Sequence, residues 1–406
     1  MADRAELLTL EDLGLSTLSG RRIFVRVDFN VPLSPTGEVL DATRLEEALP
    51  TIRELSAAGG KLLLASHAGR PKDAFDPRYS LRPVAGKLQE LLGRPVRFAQ
   101  DCVGAPAETV AAELAPGEVA LLENLRFHAG EKKNDPAFAG QLAALAEVYV
   151  DDAFGSAHRA HASVVGVPER LPKKAAGRLL VREVQALSRL LGEPERPFAA
   201  ILGGAKIEGK IDTLENLLPR LDLLLVGGGM ANTFLAAQGR DLAASLVETD
   251  RLDLAREILA RAKERGLDVI LPSDLVVTDD LDRIGGGSRI ATVPADRVPA
   301  GMKAVDVGPA TREAFARAIA GARTLFWNGP MGVFEKPPFD AGTRAVAEAL
   351  AHCPGFSVLG GGETVAAAKQ AGVADRVGHV STGGGAALEY LAGKTLPGVA
   401  ALEVHR

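Results

Sequence analysis

Short apolar runs recur along the chain at 23–27, 62–65, 119–122 and 148–150, and again at 200–202, 223–226, 269–271, 325–327 and 357–359. Longer segments with apolar residues at helical spacing separate them. This alternation predicts an α/β chain with two parallel sheets, each covered by helices. Nearly every predicted strand runs into a cluster of Asp, Asn, His, Arg or Gly, and ligands of open α/β sheets collect at the carboxyl ends of the strands. Residues 177–191 (GRLLVREVQALSRLL) place apolar side chains at helical spacing and run into the turn-rich GEPERP, which predicts a helix connecting two halves.

The length of 406 residues exceeds what one hydrophobic core usually supports and suits two domains. A formal charge of -5 offers no excess of Lys and Arg for a polyanion, so no nucleic-acid partner is expected. Cys102 and Cys353 stand far apart and form neither a disulfide framework nor a CxxC motif, so both are expected to be ordinary thiols. The opening MADRAELLTLEDL is acidic and lacks the apolar stretch of a signal peptide, and no apolar run is long enough to span a bilayer. These features lead to an expected cytoplasmic location with no membrane partner.

The two halves differ in the residues at the ends of their strands. The first offers RVDFN, SHAGRP, ENLRF and DDAFGSAHRAH. Asp28 and Asn30 sit where the chain leaves a strand, placed either to hold substrate hydroxyls or to cap a local turn. His67 and Arg70 flank the bend-permitting Gly69, Arg126 comes after another strand, Arg44 opens a helical segment, and Arg159 lies between His158 and His161. Guanidinium groups recurring at strand ends make a receptor for a small, multiply charged anion. His158 and His161 have no third ligand at zinc-like spacing and an Arg between them, which argues against a metal there. For His67 a substrate hydrogen bond is a simpler role than base catalysis.

The second half offers GGAK, GGGM, NGPMG, GGGET and STGGG. Glycine admits phosphate close to backbone amides, and a helix N-terminus adds favourable partial charge. Lys206 and Lys210, four apart, are expected on one helix face near the anion. The turn Gly361, Gly362, Glu363, Thr364 could grip phosphates while Glu363 supplies an oxygen to Mg²⁺. The stretch from Asn328 through Pro330 to Glu335 fits an adenosine slot, with Glu335 accepting from ribose hydroxyls. GxxxxGK[ST] is absent, as is a properly placed GxGxxG, against both a P-loop NTPase and a simple dinucleotide-binding dehydrogenase.

In order along the chain, RVDFNVP, SHAGRP, LLENLRF, DAFGSAHRAH, LGGAK, GGGMANTFL, WNGPMGVFE and STGGGA closely resemble the phosphoglycerate kinase family over essentially the whole length. The resemblance implies reversible phosphoryl exchange between 1,3-bisphosphoglycerate and ADP, giving 3-phosphoglycerate and ATP. It further implies a monomer of two Rossmann-like three-layer domains, separated by a cleft and joined by a connecting helix. Domain limits are expected at 1–176, 177–192 for the connector and 193–392, with a tail, 393–406, returning to the first domain. By matching motif, Asp28, Asn30, Arg44, His67, Arg70, Arg126 and Arg159 would bind the phosphoglycerate. Lys206 would neutralise the moving phosphoryl group, and Lys210, Asn328, Pro330, Glu335 and the turn from Gly361 to Thr364 would bind the Mg²⁺ nucleotide. The chain departs from the family pattern at Glu363, Asp151 and Gly209.

Phosphoryl transfer needs alignment and charge neutralisation rather than covalent help, so direct in-line transfer after hinge closure is the expected mechanism, with Arg44 and Lys206 at the reacting group. Two other readings are a nicotinamide-dependent dehydrogenase and a non-catalytic nucleotide-binding regulator. Turnover of 3-phosphoglycerate with MgATP separates them.

Overall fold

The computed structural model describes residues 5–283 and 287–405. Two compact units emerge: one runs to Gln185 and takes the chain up again at Thr395, and the other spans Ala186–Lys394.

The first unit contains β1 (Ala5–Leu7), β2 (Arg22–Val27), β3 (Lys61–Ala65), β4 (Val96–Phe98), β5 (Val119–Leu121), β6 (Val148–Asp152) and β7 (Lys173–Ala176). A six-stranded sheet has the order β4-β5-β3-β2-β6-β7, and every pairing in it is parallel. All carboxyl ends therefore lie along one edge. The central strands are buried almost without a break because helices cover both faces. Leu45, Leu49 and Ile52 of the helix Thr43–Ala57 recur at intervals of three and four, and pack on Ile23, Val25, Leu62 and Leu64.

The last described residues also belong to this unit. The strand Glu403–His405 pairs antiparallel with β1, and Gly398 N donates to Ala157 O at 2.8 Å. Arg406, the end of the expected tail, lies outside the described residues. The helix Arg178–Leu191 begins on the buried Asp152, whose Oδ1 accepts from Leu179 N (2.8 Å) and Leu180 N (3.3 Å). A Cβ on Gly177 would sit 2.3 Å from that oxygen, so only glycine lets the carboxylate reach the helix start. The division between the units, after Gln185, falls inside this helix.

The second unit contains β8 (Phe198–Leu202), β9 (Leu223–Val226), β10 (Asp268–Ile270), β11 (Asp274–Thr278), β12 (Ile290–Pro294), β13 (Lys303–Val307), β14 (Thr324–Asn328), β15 (Phe356–Gly360) and β16 (His379–Val380). The order β10-β9-β8-β14-β15-β16 is again wholly parallel. Its core joins Ile201, Leu225, Trp327 and Leu359 to Phe315 and Ile319 of the helix Pro309–Gly321 and Val346 and Leu350 of the helix Ala341–Leu350.

A three-stranded antiparallel sheet, β12-β11-β13, was not expected from the apolar pattern. Four of the five residues of β12 are exposed, so that strand carries almost no hydrophobic signature. The short strands β4 and β7, at the two ends of the first parallel sheet, are not marked by an apolar run either. Among the described residues, no helix is long and apolar enough to cross a membrane.

Candidate active site

In the first unit, parallel strands deliver the predicted residues to one edge. Asp28 and Asn30 come after β2, His67 and Arg70 after β3, Arg126 after β5 and Arg159 after β6. Arg44, in the first turn of the helix Thr43–Ala57, reaches back: its Nη1 donates to Asp28 Oδ2 (3.0 Å) and Asn30 O (3.1 Å). Asn30 Oδ1 accepts from Gly69 N at 2.9 Å, tying the end of β2 to the bend after β3. A Cβ on Gly69, whose φ is +58°, would lie 2.2 Å from the Tyr79 ring, so the bend needs glycine.

Arg126 is buried, with Nη1 donating to Gly69 O at 2.6 Å and Nε making no hydrogen bond. Burial, then Arg159 and Arg26, depress its proton affinity to about 10. Burial followed by Arg26, Arg126, Arg159 and Arg44 holds His67 well below the usual imidazole range. His161 is lowered to about 4 by burial, Arg126, Arg26 and Arg159. One cationic field thus reaches all these side chains. Arg159 Nε donates to His158 Nε2 at 3.1 Å. Arg70 is set apart, exposed in the loop beside Lys72 and Arg78.

Arg26, not singled out by sequence, lies fully buried within β2 and donates to Ser163 Oγ (2.9 Å) and His67 Nδ1 (3.1 Å). An arginine inside a strand gives no signal of its own, because only the folded sheet shows which side chains it meets.

Elsewhere in this unit, the Cys102 thiol is pushed up by burial, then by Asp101 and Glu131, while His128 Nε2 pairs with Asp101 Oδ1 at 2.7 Å. These neighbours keep Cys102 protonated.

In the second unit, β8 and β14 are adjacent and mark the reversal of strand order, the place where α/β sheets open a crevice. A cleft of about 280 Å³ lies there, with Gly204, Gly228, Gly229, Pro330, Met331, Glu335 and Glu363 in its walls. The glycines are required: a Cβ on Gly203 would come within 2.2 Å of Pro330 O, and one on Gly228 within 2.6 Å of Gly204 O. Asn328 braces the floor, donating from Nδ2 to Gly360 O at 2.8 Å, while its carbonyl accepts from Gly203 N at 2.9 Å. Thr364 is fully buried, and its Oγ1 accepts from Gly329 N at 2.7 Å, so its hydroxyl serves the turn.

Lys206 and Lys210 do not share a helix face. A 3₁₀ turn, Glu208–Lys210, precedes the helix Ile211–Leu217, so Lys206 stands exposed in the turn before it. Gly209 is part of the reason, since glycine supports helix poorly. Lys210 Nζ faces the carbonyls of Gly203 and Asn328, and burial depresses its proton affinity to about 8 against the opposing pull of Glu363.

The unforeseen antiparallel sheet supplies the opposite wall of the cleft with Leu275 and residues 303–307. The alternating Val305 and Val307 were the available clue to β13. Asp306 accepts from Val307 N and Gly342 N, both at 2.8 Å, and burial raises its carboxyl to about 7.

Comparison with known proteins bears on the chain as a whole. Residues 10–394 match the family model described as phosphoglycerate kinase. Phosphoglycerate kinases of Desulforudis audaxviator and Thermus thermophilus are 55% and 56% identical over 386 residues, in each case 95% of this chain and 97% of the relative. The solved phosphoglycerate kinase of Coxiella burnetii superposes with a TM-score of 0.87 at 39% identity, covering 98% of this chain and 99% of its own. That of Pyrococcus horikoshii gives 0.83 at 34%, covering 98% of both. With one unit carrying arginines clustered at its strand ends and the other a glycine-lined cleft, and with this likeness running over nearly the whole length, the chain belongs to the phosphoglycerate kinase family.

Proposed function

We propose that this chain transfers a phosphoryl group from 1,3-bisphosphoglycerate to ADP directly and in line, with the acid bound by the first unit and the nucleotide by the second. The observation that carries the reading is the clustering of positive charge around His67. Arg26, Arg44, Arg126 and Arg159 act on it together, and Arg126 retains a buried Nε without a partner. A multiply charged anion satisfies both the field and the orphaned donor.

Arg44, Arg126 and Arg159 would bind phosphate and carboxylate oxygens, with Asp28 and Asn30 taking hydroxyls and Arg70 reaching in from its loop. Nucleotide would occupy the cleft between Pro330, Met331 and the glycine turns, with Glu335 at the ribose. Exposed Lys206 is free to follow the moving phosphoryl group, and Lys210 would turn from its carbonyl partners to phosphate.

Glu363 offers one carboxylate in the first turn of the helix Gly362–Gln370, on the cleft wall. One carboxylate together with phosphate oxygens is a usual donor set for Mg²⁺, so these residues fit the ion. When bound with nucleotide it supplies positive charge to the phosphate oxygens.

Since donor and acceptor are held by different units, transfer requires closure about the helix Arg178–Leu191, which also excludes water from the acyl phosphate. The enzyme is expected to act as a cytoplasmic monomer. Purified protein with 3-phosphoglycerate and MgATP, coupled to the next glycolytic enzyme, should turn over. Absence of turnover, or scattering that shows no compaction with both substrates present, would sink this reading.

A further inference from the structure

His67 sits at the centre of the anion receptor, and its chemical state decides what it can do there. An imidazole nitrogen can donate or accept, and the choice is set by what the other nitrogen meets. Here the partner of Nδ1 is the Arg26 guanidinium at 3.1 Å, which can only donate. Nδ1 must therefore accept, and the ring proton belongs on Nε2.

The guanidinium is itself locked. Its Nε donates to Ser163 Oγ at 2.9 Å and its Nη1 to Val27 O. Ser163 Oγ in turn donates to Glu131 Oε1 at 2.6 Å, and Ser163 N donates to Glu131 Oε2 at 2.9 Å. Glu131, Ser163, Arg26 and His67 are all buried, so every proton along this line has one direction available.

We propose that Arg26 is a positioning residue that holds His67 as the uncharged Nε2–H tautomer, so that His67 gives the substrate anion one neutral N–H donor and accepts no proton during the reaction. The groups that face His67 support this. Arg26, Arg126, Arg159 and Arg44 all oppose a positive ring, and the carboxylate of Asp28 is engaged by Arg44. Base catalysis at His67 is excluded in this arrangement, since Nδ1 is occupied and Nε2 already carries hydrogen. The second half of the proposal, the hydrogen bond to substrate, rests on the anion-receptor reading given above.

Two-bond ¹H–¹⁵N correlation spectra of the labelled full-length protein distinguish the two neutral tautomers from the imidazolium. His67 is assigned by loss of its signals in His67→Gln. The wild type should show Nε2–H with no charging between about pH 8 and about pH 5, the range in which an ordinary imidazole titrates. Arg26→Met should let the ring titrate in that range and raise the KM for 3-phosphoglycerate about tenfold, as expected for one misdirected hydrogen bond. Should Arg26→Met fail to fold, Ser163→Ala removes the hydroxyl that joins Arg26 Nε to Glu131 Oε1 and should move the titration of His67 upward by a smaller amount.

An Nδ1–H ring or an imidazolium at neutral pH overturns the proposal, and so does a His67 signal indifferent to both variants. Saturating 3-phosphoglycerate should displace the Nε2 signal and leave the ring neutral. An Nε2 signal that keeps the expected tautomer but ignores this ligand overturns the substrate contact while leaving the part played by Arg26 standing.

Discussion

Arg126→Met separates a side chain kept for its ligand from one kept for the fold. Depression of its proton affinity to about 10, well below the usual guanidinium range, corresponds to about 3 kcal/mol against the charge at neutral pH. Solvent at the open edge of the sheet reduces this to about 1–2 kcal/mol. Methionine removes that repulsion and keeps much of the volume, but loses the bond to Gly69 O, a contribution of about 1 kcal/mol. The two effects nearly cancel, so urea unfolding without ligand should place the variant within about 1 kcal/mol of the wild type.

Ligand reverses the outcome. At a hundredfold excess over Kd, 3-phosphoglycerate should stabilise the wild type by about 2.7 kcal/mol through mass action. The variant should gain almost nothing, because the buried Nε that has no hydrogen-bond partner in the protein is gone. A variant destabilised by more than about 3 kcal/mol without ligand would show Arg126 to be a structural residue. One that kept the ligand-induced shift would refute the receptor reading.

Other perturbations test the same geometry. Arg44→Ala and Lys206→Ala should each lower kcat at least a hundredfold, on the scale of lost transition-state charge contacts, with far-ultraviolet dichroism unchanged; normal turnover in both would remove the mechanism. Gly203→Ala forces a Cβ within 2.2 Å of a backbone oxygen that cannot yield without moving the end of β14. It should reduce stability by about 1–3 kcal/mol and weaken ADP binding in calorimetry, with 3-phosphoglycerate binding intact. Burial raises the Asp152 carboxyl from 3.8 to about 7. The folded state therefore keeps a proton that the unfolded chain has lost, and this contribution is full below about pH 4 and fades as pH rises to about 7. In Asp152→Asn, denaturation midpoints measured across that window should lose this part of their slope.

The fold was legible where burial is heavy on both faces of a strand. β2, β3, β8, β9, β14 and β15 all stand out as apolar runs because parallel strands between helices admit little else. β12 did not, since its side chains face solvent and its pairing depends on β11 alone. Within the site, residues at strand ends could be nominated by type and position, as with Asp28, Asn30, His67 and Arg126. Lys206 and Lys210 were misjudged together because spacing of four implies one helix face only if a helix is present. Here a 3₁₀ turn takes its place.

The order of motifs was enough to establish the family, the parallel architecture and the division between a cationic half and a glycine half. Those properties arise from local spacing and from which residue types a strand end will tolerate. Tertiary structure alone decided that Arg26 meets His67, that Arg126 keeps an unpaired donor, and that Asp306 and β13 wall the cleft. Each of these joins segments far apart in the chain. Direction of hydrogen bonding and strength of electrostatic fields depend on distances between such segments, which no run of neighbouring residues encodes.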